Sequence, residues 1–491
     1  MISKIQKIKL MALSFGFLLS AAGCSPDKNN TQNQDIVRFL WTESITGQAQ
    51  IKVLNSFGEP IAKARVLIGQ AENSPFRGNF LETDQAGTAI IPKEWKNPTS
   101  VTVDADGYIR QTLLNQKPGN ITLKLNTRYL KQKAELKGQV TQLPVADGDK
   151  LIDFGLVMPA LSKADILNFD LDQVISPYTD ILTVAGQDAP LPSNVSLPKQ
   201  KEKYFFNLTV EKPIYRIMAP TLGPKRFYAA RGRFPFKPVV DELRAGKPFY
   251  ELLNYFTLFG GGVRDITLVN PSTQLNIPGN ELEFKNTLQV QTASAQGDEV
   301  MIMLAASEIT GTMIPTDVKK SSGSQTLSLT SLADRPAFVV SVIKKQSEFM
   351  AKTPGADRMS ASILPYTEGI KPSLMSLVAD PSILSTDHYA IKMPPAPTKN
   401  GIQALATTAV ISDLTESLNG DTKITSALRR WEVIGLGWPE QMELPQWPLD
   451  SGANKKRVEI NFLGSATAQP VQLDDSLIKA ATHVSHASTD F

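Results

Sequence analysis

A mainly β protein built from several sandwiches is what this sequence predicts, and three observations predict it. Short runs in which polar and apolar residues alternate recur along most of the chain; Gly, Asn, Asp, Ser and Pro punctuate them; and helical periodicity is confined to one stretch near residues 238–259. A length of 491 residues exceeds a single core and calls for more than one domain. Hydrophobic residues at 42% and charged residues at 20% belong to a globular chain, not a disordered one. A net charge of +3 over this length gives no electrostatic case for nucleic acid, and no such partner is expected.

The N-terminus places Lys4, Lys7 and Lys9 before the apolar run Met11 to Leu19. Small residues, Ser20 to Gly23, then precede Cys24, the only cysteine in the chain. A basic region, a short apolar region and small residues form a secretory signal, and the run is too short for a permanent span. Leu19-Ser20-Ala21-Ala22-Gly23-Cys24 resembles the bacterial lipobox, with Ala21 where the commonest form carries Leu. The resemblance implies a lipoprotein signal peptide over residues 1–23, cleavage before Cys24, and acylation of its thiol and new amine by chains such as palmitate. Several such chains, at about 0.8 kcal/mol per buried CH₂, hold a protein to a bilayer almost irreversibly. Ser25, not Asp, follows the cysteine, which by resemblance to enterobacterial lipoproteins implies the outer membrane. The alternative is a plain secretory signal with a chance cysteine. With one cysteine no internal disulfide forms, so burial and hydrogen bonding must stabilise every domain.

Residues 24–46 comprise the lipidated cysteine and a polar, aperiodic segment expected to act as a flexible tether. The first domain, 47–126, is then marked by alternating runs at Gln48–Leu54, Ala64–Ile68, Thr88–Ile91, Val101–Ala105 and Asn120–Leu125. Turn signals at Asn55–Gly58 and Thr83–Gly87 separate them, which predicts an antiparallel sandwich. Gly58, Pro60, Ala64, the Thr83–Gly87 turn, Gly107-Tyr108 and the closing strand Thr122–Leu125 resemble, in that order, the carboxypeptidase regulatory-like domain, a transthyretin-like β-sandwich. That resemblance implies a spacer or interaction fold without catalytic residues of its own.

A mixed β domain follows over 130–283. Leu151–Leu161, Ile181–Gly186, Lys203–Val210 and Pro213–Pro220 read as strands, and Asp188–Gln200, with three prolines, as an extended loop. Helices are expected at Pro238–Ala245 and Pro248–Phe259, the second with Phe249, Leu252, Leu253 and Phe256 on one face and Gly260–Gly262 as its cap. Residues 284–491 carry seven more strand-like runs, which predict one or two further β-rich domains.

Chemistry is sparse. His483 and His486 would share a face as a metal pair if helical, with Asp474, Asp475 and Asp490 nearby as further ligands that nothing forces together; on a strand or frayed tail they point apart. His388 reads as a strand-start residue. Asp147, Asp149 and Asp153, and further on Asp165, Asp170, Asp172 and Asp180, fall short of a calcium loop and read as solvated loops. No nucleophile elbow or phosphate-binding Gly-Lys-Ser/Thr occurs. Trp431, Trp438 and Trp447 could stack on a sugar, or serve as a core residue with two loop anchors. No catalytic residue, metal ligand or cofactor is assigned. The expectation is a membrane-anchored envelope protein with lipidation at Cys24, recognising a protein or glycan partner without catalysis. The alternative is an envelope hydrolase with a site in the middle or C-terminal region.

Overall fold

In the computed structural model the described residues are 49–55, 58–70, 80–126, 134–142, 151–161, 163, 181–184, 187–190, 207–210, 214–219, 223–245, 247, 249–293, 295–349, 358–386, 389–398, 400–419, 422–447, 455–467, 473 and 475–491. They form a mainly β protein of several sheets with few helices.

The first unit holds β1 (Gln50–Asn55), β2 (Arg65–Ile68), β3 (Leu81–Glu82), β4 (Thr88–Ile90), β5 (Thr99–Asp104), β6 (Arg110–Gln116) and β7 (Ile121–Leu125). β1 lies between antiparallel β4 and parallel β7, and β3-β2-β5-β6 form the facing layer. Alternation explains the pairing of layers. Ile51, Val53, Ile121, Leu123 and Leu125 point inward from one sheet, to join Val66, Ile68, Val101, Val103 and Leu113 from the other. At Gly87, with φ of 71°, an added Cβ would stand 2.5 Å from the Val53 carbonyl oxygen. Asp84 closes the same turn by accepting from the Ala86 and Thr88 amides.

The middle unit contains β8 (Ala134–Thr141), β9 (Leu151–Pro159), the hairpin β10 (Ile181–Val184) and β11 (Gln187–Pro190), β12 (Asn207–Val210), β13 (Ile214–Ala219), β14 (Gly223–Pro235), α1 (Phe236–Arg244), a 3₁₀ helix (Phe249–Tyr255), β15 (Thr257–Leu268), β16 (Ser272–Pro278) and β17 (Leu282–Glu283). Sheet β12-β9-β14-β15-β17 packs on β13-β8-β16 through Val157, Phe227, Ala229, Leu136, Val140 and Ile277. The other face of β14 is buried too, by Tyr228, Ala230 and Phe234.

The expected helix over 248–259 is instead a 3₁₀ helix of 7 residues, and its expected glycine cap is the start of a long strand. The apolar spacing is met all the same, since Leu252, Leu253 and Phe256 are buried. The glycines serve close backbone approach. A Cβ on Gly262 would stand 2.0 Å from the Pro278 carbonyl oxygen, and one on Gly261 2.4 Å from that of Ala229.

The last region adds β18 (Asn286–Gln291), β19 (Glu299–Ile309), β20 (Thr312–Ser321), β21 (Thr326–Ser331), β22 (Ala337–Lys345), the one-turn α2 (Gln346–Phe349), β23 (Met359–Pro365), β24 (Ser382–Ser385), β25 (Ala390–Lys392), β26 (Gln403–Asn419), β27 (Thr422–Leu436), β28 (Gln441–Glu443), β29 (Lys456–Ser465), α3 (Asp475–Ala480) and β30 (His483–Asp490). Eight of these strands run antiparallel in the order β20-β19-β22-β23-β30-β29-β26-β27. β27 then pairs in parallel with β6, so the sheet continues through β6-β5-β2-β3 to a total of 12 strands. One face is covered by β18 and β21, and further along by β24, β25 and β28. The opposite face shares its core with the first unit and the middle unit.

The β20 edge is capped by the 3₁₀ helix. The Asn254 side-chain amide accepts from the Lys320 amide at 2.9 Å and donates to the Lys320 carbonyl at 3.2 Å, as a paired strand would. Such cover blocks that end of the edge to pairing with another chain.

Candidate functional site

The strand assignment at the C-terminus decides the histidine question. β30 places His483 and His486 on opposite faces of the sheet, both buried. His483 donates from Nε2 to the Ser373 carbonyl at 3.0 Å and accepts the Thr482 hydroxyl at Nδ1, 2.8 Å away. Burial pushes its pKa down to about 4, against the Ser373 carbonyl, which pulls it up; the charge of Lys163 adds to the depression. His486 donates from Nδ1 to Asn461 Oδ1 at 2.9 Å, and the Asn461 amide donates to the Thr408 hydroxyl at 3.0 Å. Each ring is thus fixed in its own polar network. Among the described residues no group of three or more His, Cys, Asp or Glu could hold a metal ion.

Two of the acidic residues singled out lie among the described residues in ion pairs. Asp153 on β9 accepts the Arg233 guanidinium at 2.6 Å, and Asp490 accepts that of Arg457 at 2.6 Å. Cys24, His388, Asp147, Asp149, Asp165, Asp170, Asp172, Asp180 and Asp474 lie outside the described residues.

The three tryptophans are anchors. Trp431 and Trp447 are buried, at 2% and 3% exposure, so neither offers a free face to a sugar. Trp438 donates to the Leu463 carbonyl at 2.8 Å and meets Phe462 edge-on. Trp431 sits on β27 beside the seam with β6, where its indole N–H donates to the Thr112 hydroxyl, itself 2.7 Å from that of Thr102.

The seam brings together residues that no pattern in the sequence joins. The Arg110 guanidinium lies 4.8 Å from the ring centre of Trp431 and 4.4 Å from that of Trp447. Asp104, which binds Arg65 in a tight ion pair, stands 3.6 Å from Arg110. Trp447 also packs on Phe80, and the Gln446 amide donates to Gln70. On the opposite face Gln111 donates to Glu432 at 3.4 Å. This cluster locks the first unit to the C-terminal sheet. A single signal, the closeness of three tryptophans in sequence, pointed toward it; nothing in the sequence pointed to Arg110.

No protein-family model and no curated protein matches the chain. Among solved structures it is similar to the TIE protein of Bacillus anthracis, at 10% identity over 69% of this chain and 49% of that one, with a TM-score of 0.15. The match thus spans about half the length of that protein. The major pilin subunit BcpA of Bacillus cereus matches at 10% identity over 66% of this chain and 97% of its own, with a TM-score of 0.14. A streptococcal ancillary pilin matches at 9% identity over 79% and 99%, also with a TM-score of 0.14. Likeness at this level carries no argument about fold or role.

Proposed function

We propose that this chain is a bacterial envelope lipoprotein, anchored to the outer membrane through Cys24. It serves a structural or binding role without catalysis, presenting β units to a protein or glycan partner. The first of those units is a carboxypeptidase regulatory-like sandwich.

The observation that carries the anchoring is the order Leu19 to Cys24, with the chain's only thiol at its end. The role is supported by what the described chemistry-bearing side chains do. His483, His486, Trp431, Trp438, Trp447, Asp153 and Asp490 are all taken up in packing, hydrogen bonds or ion pairs within the sheets. The seam between β6 and β27 makes a rigid connection from the tethered end of the chain to its C-terminal sheet.

The test is metabolic labelling with palmitate, with fractionation after a high-salt wash that strips peripheral proteins. The native chain takes up label and stays with the outer membrane. The Cys24→Ser chain takes up none and is released. A Cys24→Ser chain that is still processed and still resists the wash would end the reading.

A further inference from the structure

The end of the first unit at which the chain arrives from the N-terminus carries an unbalanced set of lysines. Three observations place it. Gln50 pairs with Ile90, and the Ile91 amide donates to the Ala49 carbonyl, so the connection 91–98 begins beside the arriving chain. The Gln50 amide donates to Asn120 Oδ1, which brings the connection 117–120 to the same place. Thr99 pairs with Gln116, which sets the other limits of these two connections side by side.

Lys93 and Lys96 lie on the first connection, Lys117 on the second, and Lys52 on the outer face of β1; all four are exposed. None of them forms an ion pair with another described residue. The first connection is held in shape by Trp95, whose amide donates to the Pro92 carbonyl and whose indole donates to that of Asn97 at 2.8 Å. Its one carboxylate is Glu94, also exposed. Ile90, 57% exposed, stands beside the lysines. The parallel register of β6 and β27 puts Leu436, 52% exposed, at the same end of the large sheet.

We infer that this end of the first unit docks on an anionic phospholipid surface. The inference rests on anchoring at Cys24 insofar as the anchor delivers the surface to the bilayer. A random coil of the length of residues 25–46 has an r.m.s. reach of roughly 23–28 Å, which would hold the lysines within a short distance of the headgroups at high effective concentration. Lysines near such a surface each add binding, and exposed aliphatic side chains among them settle at the headgroup level. Docking would turn a loosely tethered body into one with a fixed orientation.

The test uses the whole mature chain bearing Cys24→Ser, which carries no acyl group, so its outcome is independent of whether Cys24 is lipidated. Co-sedimentation is measured with vesicles of phosphatidylglycerol and phosphatidylethanolamine and with vesicles of phosphatidylcholine. Binding to the anionic vesicles, little to the neutral ones, and release by salt are expected. The variant K93E/K96E/K117E should bind at least about 50-fold more weakly, with unchanged circular dichroism. Reversal of Lys237 and Lys285, exposed lysines on the middle unit and just after it, should leave binding intact. Equal binding to both vesicle types, no binding to the anionic ones, or an unaffected triple variant would each overturn the inference. So would retention on peptidoglycan sacculi in preference to vesicles.

Discussion

Trp431 donates its indole N–H to the hydroxyl of Thr112 at 2.7 Å, across a seam whose two strands are far apart in the chain. Thr112 in turn meets the Thr102 hydroxyl, and all three groups are buried. Thr112→Val keeps the shape but leaves both neighbours without their partner. A cost of about 1–3 kcal/mol is expected, because buried polar groups lose solvation without compensation. Trp431→Phe removes the donor and some apolar area, at a cost of about 1–2 kcal/mol. Urea denaturation followed by far-UV circular dichroism measures both.

Arg110 is the second prediction. Its guanidinium touches two indole faces and one carboxylate. Arg110→Met preserves most of the stem and removes the charge, so its effect isolates the stacked cation from the packing. Two such contacts at partly desolvated positions are together worth about 1–3 kcal/mol. The variant should also open the seam first, exposing the segment after β28 to limited proteolysis and shifting tryptophan emission to the red. Arg110→Lys should recover only part of the loss, since an ammonium lacks the flat surface that both rings cover.

Gly262 and Gly58 make a matched comparison. A Cβ at Gly262 would stand 2.0 Å from a backbone carbonyl oxygen of the neighbouring strand, so either β15 or β16 must move. Gly58 has φ of 87° and open space around it, so its alanine variant bears only the conformational penalty, about 1 kcal/mol. Thermal melting should show a small drop in Tm for Gly58→Ala, and failure to fold or a drop several times larger for Gly262→Ala.

His483 predicts a pH dependence. Its pKa is about 4 in the folded chain against an ordinary value of 6.5, so the unfolded chain binds the extra proton across that interval. Stability therefore falls as pH drops from about 6.5 to about 4, by an amount on the order of 3 kcal/mol from this residue. Above pH 7 the effect is absent. His483→Gln, which can still donate to the Ser373 carbonyl, should show a flatter stability profile between pH 4 and 6.5 than the native chain.

Strands with one buried face were legible. The alternating runs at Gln48–Leu54 and Asn120–Leu125 match β1 and β7 to within two residues, because period two is what a half-buried strand must display. β6, Arg110–Gln116, escaped notice for the same reason in reverse: Gln111, Thr112 and Leu113 are all buried, and the polar side chains conceal the period. The spacing of Phe249, Leu252, Leu253 and Phe256 fits an α-helix, yet a short 3₁₀ helix and the residue after it bury Leu252, Leu253 and Phe256. Close approach of β15 to β14 at Gly261 and to β16 at Gly262 then demands the glycines that resembled a cap. The seam was beyond reach, since no local pattern tells β6 that its neighbour is β27. What could be read of the histidines was conditional: on a strand they oppose each other, and a strand is what they occupy.

The seam also sets a timetable. Gln111 and Glu432 are 321 positions apart, so at roughly 5–20 residues per second about 15–60 s separate the emergence of β6 from that of β27. Throughout that interval the first sandwich has one flank open, and its Arg110 waits for indoles that have yet to be made. Any helper that shields nascent chains of this protein would find its task there, at an unfinished margin that only the last fifth of the polypeptide can close.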